Sequence, residues 1–359
     1  MSKYCIFCGN KPQEKSREHI IPQWLIELTG DPKRDAFFGY HKPGTKGEGV
    51  RKYPFKHFTF PACVTCNTNY GRLESEVKPV VEKILDETTL SSEDMSMFLE
   101  WIDKVRIGLW LGMQQLDKNY LDVDVNFHID KRIGQYDRLL IIQKTDRISP
   151  RINFGATDTP AFSYTPSVFA FSINNYNFIS VSSAFLFSRR IGFPYLKEMI
   201  LSPDSDEFSG ELVNGIKRVM KPLIRRAIPN NGVIVYQPQF RNGMLRTEDE
   251  LSEYNCDYVR THALDYQKGD GNIFCEKNGV LNEYGSNDEI NDLQGLPVND
   301  DYQLSIKSII EAHKWQNWLH TQLPDMKLLT LEQKKFVKSR FALATRVNNL
   351  WINKLEEML

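Results

Sequence analysis

Apolar residues recur at helical spacing in three long stretches. Val77, Val80, Val81, Ile84 and Leu85 make one stripe. Phe98, Trp101, Ile102, Val105, Leu109, Met113 and Leu116 make a second, and Leu343, Val347, Leu350, Trp351, Leu355 and Met358 a third. Ser91-Ser-Glu-Asp94 predicts the start of the second helix and Thr330-Leu-Glu-Gln333 that of the third. In each, a hydroxyl precedes by three residues a side chain able to return the hydrogen bond. Strands are predicted at 138–142, 167–173, 178–182 and 232–236, where β-branched and aromatic residues cluster, with the second and third joined as a hairpin through Asn174 and Asn175. Nearer the start, Glu18-His19-Ile20-Ile21-Pro22 reads as a short strand closed by a proline, which cannot donate to a ladder. Residues 58–63 form a second extended segment, and helical periodicity begins after Cys66. The fold class is α+β: strand, long loop, strand and helix over residues 1–86, then a larger mixed α+β region over 87–359 with helices at both ends.

Composition changes this picture little, because the apolar and charged fractions are those of an ordinary water-soluble chain. No apolar run approaches the roughly 18 residues that a membrane span needs, and no secretory leader pattern follows Met1. A cytoplasmic protein without a membrane partner is therefore expected. Charge is more informative when read locally. The net charge is −1 overall, but residues 1–72 hold 12 Lys/Arg against 6 Asp/Glu, as a phosphate-binding surface requires. A solvated face is the plainer reading of the same count. Lys217, Arg218, Lys221, Arg225 and Arg226 fall on one expected helix that could meet a second stretch of phosphates, and 283–301, acidic and rich in Gly and Asn, reads as a loop.

Candidate chemistry concentrates in the first segment. Cys5-Ile-Phe-Cys8 and Cys63-Val-Thr-Cys66 each have the spacing at which two thiolates from one turn reach a single metal ion, and together they complete the sulfur shell of a structural Zn2+. Cys256 and Cys275 have no such partners and are read as buried, inert thiols. On the helix after the second pair, Asn67, Gly71 and Glu74 share a face, so an amide oxygen, a gap and a carboxylate line up. Such oxygen donors suit Mg2+ or Mn2+ rather than zinc.

Cys-x-x-Cys, then Glu18-His19-Ile20-x-Pro22, then Cys63-x-x-Cys66-Asn67 with Tyr70 and Leu73-Glu74, resembles the HNH endonuclease family, in particular its zinc-stapled bacterial members. The resemblance covers about the first 86 residues. It implies a ββα-metal nuclease unit over 1–86, followed by a region over 87–359 for substrate, protein-partner or homo-oligomer contacts. It further implies that His19 is the general base, that Glu18 and Asn67 hold a catalytic Mg2+ or Mn2+, and that the substrate is DNA, with RNA as the alternative; Glu74 is a further candidate ligand from its place on the helix face. A place in restriction or anti-phage defence would follow. Where the family carries a middle asparagine that orients the histidine, this chain has Phe58. The neighbouring polar residues are His57 and Thr59, of which His57 is taken as the orienting group. Adjacent strand residues face opposite ways, so Glu18 and His19 can address one phosphate only if the strand bends or ends there, and a break is expected. A non-catalytic, zinc-stapled nucleic-acid-binding module is the alternative from a different functional class.

Overall fold

The structure, a computed structural model, describes residues 4–40, 50–55, 58–116, 128–146, 150–156, 167–201, 208–209, 212–213, 232–240, 261–277, 280–291, 293, 297 and 303–359. Strand β1 (Lys15–His19) pairs antiparallel with β4 (Thr59–Cys63), from Lys15 opposite Cys63 to His19 opposite Thr59. Helix α2 (Val64–Leu85) leaves β4 directly, with Cys63 as its N-cap. The expected strand at 18–22 is displaced. Pro22, with φ −66°, is the N-cap of α1 (Gln23–Leu28), so Ile20 and Ile21 leave the ladder and are buried in the turn. The expected long loop also has structure, because β2 (Asp35–Tyr40) and β3 (Val50–Pro54) pair antiparallel within it.

After α2, β5 (Leu90–Ser91) leads into α3 (Ser92–Leu116). Ser91 and Asp94 exchange hydrogen bonds at its start: the Asp94 amide donates to Ser91 Oγ at 3.0 Å and the Ser91 amide to Asp94 Oδ2 at 3.1 Å. Helix α4 (Ile129–Arg132) then precedes β6 (Arg138–Lys144), β7 (Ile152–Ala156), β8 (Ser167–Ile173) and β9 (Tyr176–Ser182). The β8–β9 hairpin turns as expected, with Asn174 at φ +49°, a conformation that asparagine tolerates better than most side chains. Short elements follow: α5 (Ser188–Ile191), β10 (Tyr195–Leu196) paired with β13 (Leu212–Val213), and β11 (Ile200–Leu201) paired with β12 (Phe208–Ser209). Then come β14 (Val233–Gln237), the pair β15 (Ala263–Asp265) and β16 (Asp270–Gly271), β17 (Ile273–Lys277), β18 (Val280–Tyr284) and β19 (Glu289–Ile290). The acidic stretch is thus not simply a loop, since β19 pairs with β5.

One antiparallel sheet of seven strands, in the order β18-β17-β14-β6-β9-β8-β7, organises the chain. Both of its faces are covered, which is why its strands read as nearly continuous apolar runs. Leu140, Ile142, Phe171 and Phe178 face one way, onto α3, where Phe98 meets Phe178 and Trp101 meets Phe171 at ring-centre distances of 5.2 and 6.0 Å. The same core continues into Ile20, Phe60, Val77 and Val81, joining residues on both sides of position 86. Leu139, Ile141, Ile179 and Val181 face the other way, onto Trp315 and Leu319 of α6 (Leu304–His320).

Helix α7 (Leu331–Glu356) packs on α6, and Thr330 and Gln333 form the expected capping box. Its buried face differs from the expected stripe. Val337, Phe341, Ala344, Asn348, Ile352 and Leu355 are buried, whereas Leu343, Leu350 and Met358 are exposed, Leu350 by 66%. Asn348 decides this: its amide donates to Gln316 Oε1 at 2.7 Å and Asn317 Oδ1 at 2.9 Å, so a polar residue anchors the contact.

Candidate functional site

The two Cys-x-x-Cys turns converge. The sulfurs of Cys5, Cys8, Cys63 and Cys66 all lie within 4.8 Å of one another. Cys8 and Cys63 are 3.8 Å apart, the sulfur–sulfur edge of a tetrahedron with metal–sulfur bonds of about 2.3 Å. The first turn is closed by Cys5 N–H to Asn10 O at 2.8 Å and Gly9 N–H to Cys5 O at 2.9 Å, with Gly9 at φ +74°. Side-chain bulk at Gly9 would also strike the His128 ring. Ile6 N–H donates to Pro61 O at 2.9 Å and tethers this turn to β4. The donor set and spacing can hold zinc. Burial and neighbouring thiols push Cys63 up to about 11 and raise Cys66 as well. At Cys8, hydrogen bonds from the Asn10 backbone and the other cysteines outweigh burial and lower the pKa. Metal uptake at such a cluster releases protons.

The rest of the chain grips this unit from two sides. Segment 128–132 pairs with the first knuckle, Ile129 N–H to Ile6 O at 3.2 Å and Asp130 N–H to Phe7 O at 3.0 Å, while Tyr70 stacks on Phe7 at 4.1 Å and donates to Asp130 at 2.7 Å. On the other side, α3 presents Lys104, Gly108 and Gly112, four residues apart and so on one face. A Cβ on Gly108 would lie 2.6 Å from Ile20 Cδ1 and one on Gly112 2.5 Å from Phe60 Cζ, so both glycines admit side chains of the unit. Lys104, completely buried, binds the carboxylates of Glu18 and Glu74 together.

Register pairing separates Glu18 from His19. Glu18, opposite Phe60, turns inward and is 4% exposed; His19, opposite Thr59, is half-buried on the other face. The strand stays paired through both residues and ends only after His19, so the break expected between them is not seen and the two side chains leave on opposite faces. Arg17 occupies Thr59, donating to its Oγ1 at 2.7 Å and its carbonyl at 3.0 Å. His19 itself makes no hydrogen bond among the described residues, and His57 lies outside them. Burial lowers the His19 pKa; Glu18 opposes this while Lys104 and Arg17 reinforce it, so the imidazole is neutral at neutral pH. Asn67 sits half-buried in the first turn of α2, and Gly71 faces open space. Burial raises the Glu74 pKa to about 7 against the lowering pull of Lys104. For Lys104, burial alone would lower the pKa, but Glu18 and Glu74 carry it upward.

Among the described residues, the four cysteines are the only cluster of three or more His, Cys, Asp or Glu side chains placed to share a metal ion. A carboxylate such as Glu18 and an amide such as Asn67 are nonetheless donors of the kind a hard divalent ion takes alongside phosphate and water. Lys104 escaped the periodicity reading, which treats its helix as core. The signal was present: Asp103, Lys104 and Arg106 interrupt an otherwise apolar run, and charges so placed are buried only if paired. Lys217, Arg218, Lys221, Arg225, Arg226 and Cys256 lie outside the described residues, while Cys275 is buried, with burial pushing its thiol up to about 12. No helix of the described residues is long and apolar enough to cross a membrane. A scan of protein-family models and searches of curated proteins and of solved structures return no match to the chain.

Proposed function

We propose that the chain is a zinc-stapled, metal-dependent nuclease of the HNH type that hydrolyses DNA phosphodiester bonds. The observation that carries this reading is the arrangement at β1 and β4: two antiparallel strands run into a helix, four thiols clasp their ends, and a half-buried histidine ends the first strand. In this reading His19 accepts the proton of the attacking water, which a neutral imidazole does near neutral pH. Glu18 and Asn67 hold a Mg2+ or Mn2+ ion, whose charge neutralises the phosphate oxygens and the leaving oxygen. The excess of base over acid in residues 1–72 draws the polyanion to this end of the chain.

A second reading, a nucleic-acid-binding module without turnover, is favoured by one observation: the Glu18 carboxylate is already bound by Lys104. Plasmid nicking in Mg2+ or Mn2+ by wild type and His19→Ala, with DNA binding measured in parallel, separates the two. Nicking that is lost in His19→Ala supports the nuclease. Binding without nicking in either metal sinks it, and cleavage of RNA alone overturns DNA as the substrate while keeping the chemistry.

A further inference from the structure

The buried ammonium between Glu18 and Glu74 belongs to no part of the HNH-like motif and comes from the following helix. Lys104 is fully enclosed, and its partners are 5% and 15% exposed, so solvent does little to screen the three charges from one another. Each carboxylate gives Lys104 its Oε1. Gly108 and Gly112, further along the same face, set how closely α3 approaches β1 and β4, and hence how far the ammonium reaches. With both carboxylates ionised, the trio carries one net negative charge, where the two carboxylates alone would carry two.

We propose that Lys104 is a built-in competitor for the divalent ion, with Glu74 as the partner its ammonium keeps when Glu18 takes metal. The inference rests on Glu18 being a metal ligand, as in the function proposed above. An ammonium and a divalent cation on one carboxylate repel each other, so the ion binds as Lys104 leaves Glu18. Glu74 keeps the displaced ammonium paired, because a buried lysine without an anion is strongly destabilising. Lys104 is thus a positioning residue that sets the metal affinity of the site without touching substrate.

The test is Mn2+ binding to the zinc-loaded full chain, read from the electron paramagnetic resonance signal of free Mn2+. Lys104→Met with Glu74→Gln removes the competitor and its partner while keeping one net negative charge, and is expected to bind Mn2+ about tenfold tighter than wild type or better. Glu74→Gln alone confines the ammonium to Glu18 and is expected to bind several-fold more weakly. Glu18→Gln should abolish the site in either background. Equal or weaker binding by the folded double variant overturns the proposal. If that variant does not fold, unchanged or tighter binding by Glu74→Gln overturns it instead, as does the absence of Mn2+ binding from every variant. Plasmid nicking is scored separately: the expected Mn2+ affinities without nicking defeat the nuclease and leave the competitor standing, while nicking with unaltered affinities defeats the competitor alone.

Discussion

Lowering the pH should loosen the C-terminal helix pair. His313 and His320 lie on α6 against α7, and burial holds the pKa of each down at about 4, from an ordinary 6.5. His313 Nδ1 is 3.1 Å from Asn348 Oδ1, and His320 Nδ1 is 2.9 Å from Thr345 Oγ1. The other nitrogen of His320 is buried without a hydrogen-bond partner among the described residues, in a groove also lined by Lys338 and Arg346. A second proton there has no acceptor among the described residues. Because the folded pKa lies below the unfolded one, the unfolded chain takes up protons first as pH falls. The stabilisation is full above about pH 6.5 and is lost progressively toward pH 4. The whole gap is worth about 3 kcal/mol per histidine, of which about 2 kcal/mol is gone at pH 5. Glu311, whose pKa is raised by burial against the pull of Lys314, titrates with the opposite sign and offsets part of this. Urea unfolding followed by tryptophan emission, sensitive to Trp315 and Trp318 on α6, measures the loss. Glu74, raised by burial to about 7, titrates with the opposite sign over the same window, so the measure is the difference: between pH 7 and pH 5 wild type is expected to lose about 4 kcal/mol more than His313→Gln/His320→Gln. An identical pH dependence in the double variant would refute the assignment.

Three further outcomes are expected. Elemental analysis should find one zinc per chain, and Cys63→Ser should lose it and lower the melting temperature by about 10 °C or more; a metal-free wild type that melts as cooperatively would dismiss the zinc site. If His19 is the base, the nicking rate should rise with pH and level off above a midpoint below 6.5, since burial lowers its pKa; a midpoint above 6.5 would point to another group. Gly112→Ala gains about 1 kcal/mol of helix propensity but forces the Phe60 ring to shift, and overpacking of this kind costs about 1–3 kcal/mol. A net loss near 1 kcal/mol is expected in the denaturation midpoint, and a stabilised variant would contradict the close approach of α3 to β4.

What could be read from the chain depended on the range of the interaction. The Thr330–Gln333 and Ser91–Asp94 caps and the Asn174 turn are local, and each is where the sequence puts it. The four cysteines are distant in sequence, yet thiol pairs at metal spacing announce a shared destination. Side-chain faces decided by distant partners were not legible. The buried side of α7 is chosen by Asn348 meeting Gln316 and Asn317, which a count of apolar residues passes over. Strand β1 ends at His19, directly before the isoleucines expected to continue it, because Pro22 is used to start a helix. Lys104 required knowing that α3 lies across β1 and β4, a contact made 86 residues from Glu18.

Helix α3 bears on both halves of the molecule. One of its sides is pinned to the sheet, where Asp103 accepts from Arg138 Nε at 3.0 Å and Arg138 donates to Gln237 Oε1 at 3.0 Å. The next residue, Lys104, ends on Glu18. The N-terminal segment is therefore not a transplantable cassette. Cut after residue 86 and grafted elsewhere, it would keep its cysteines and histidine but arrive with a carboxylate whose counter-ion had been left behind.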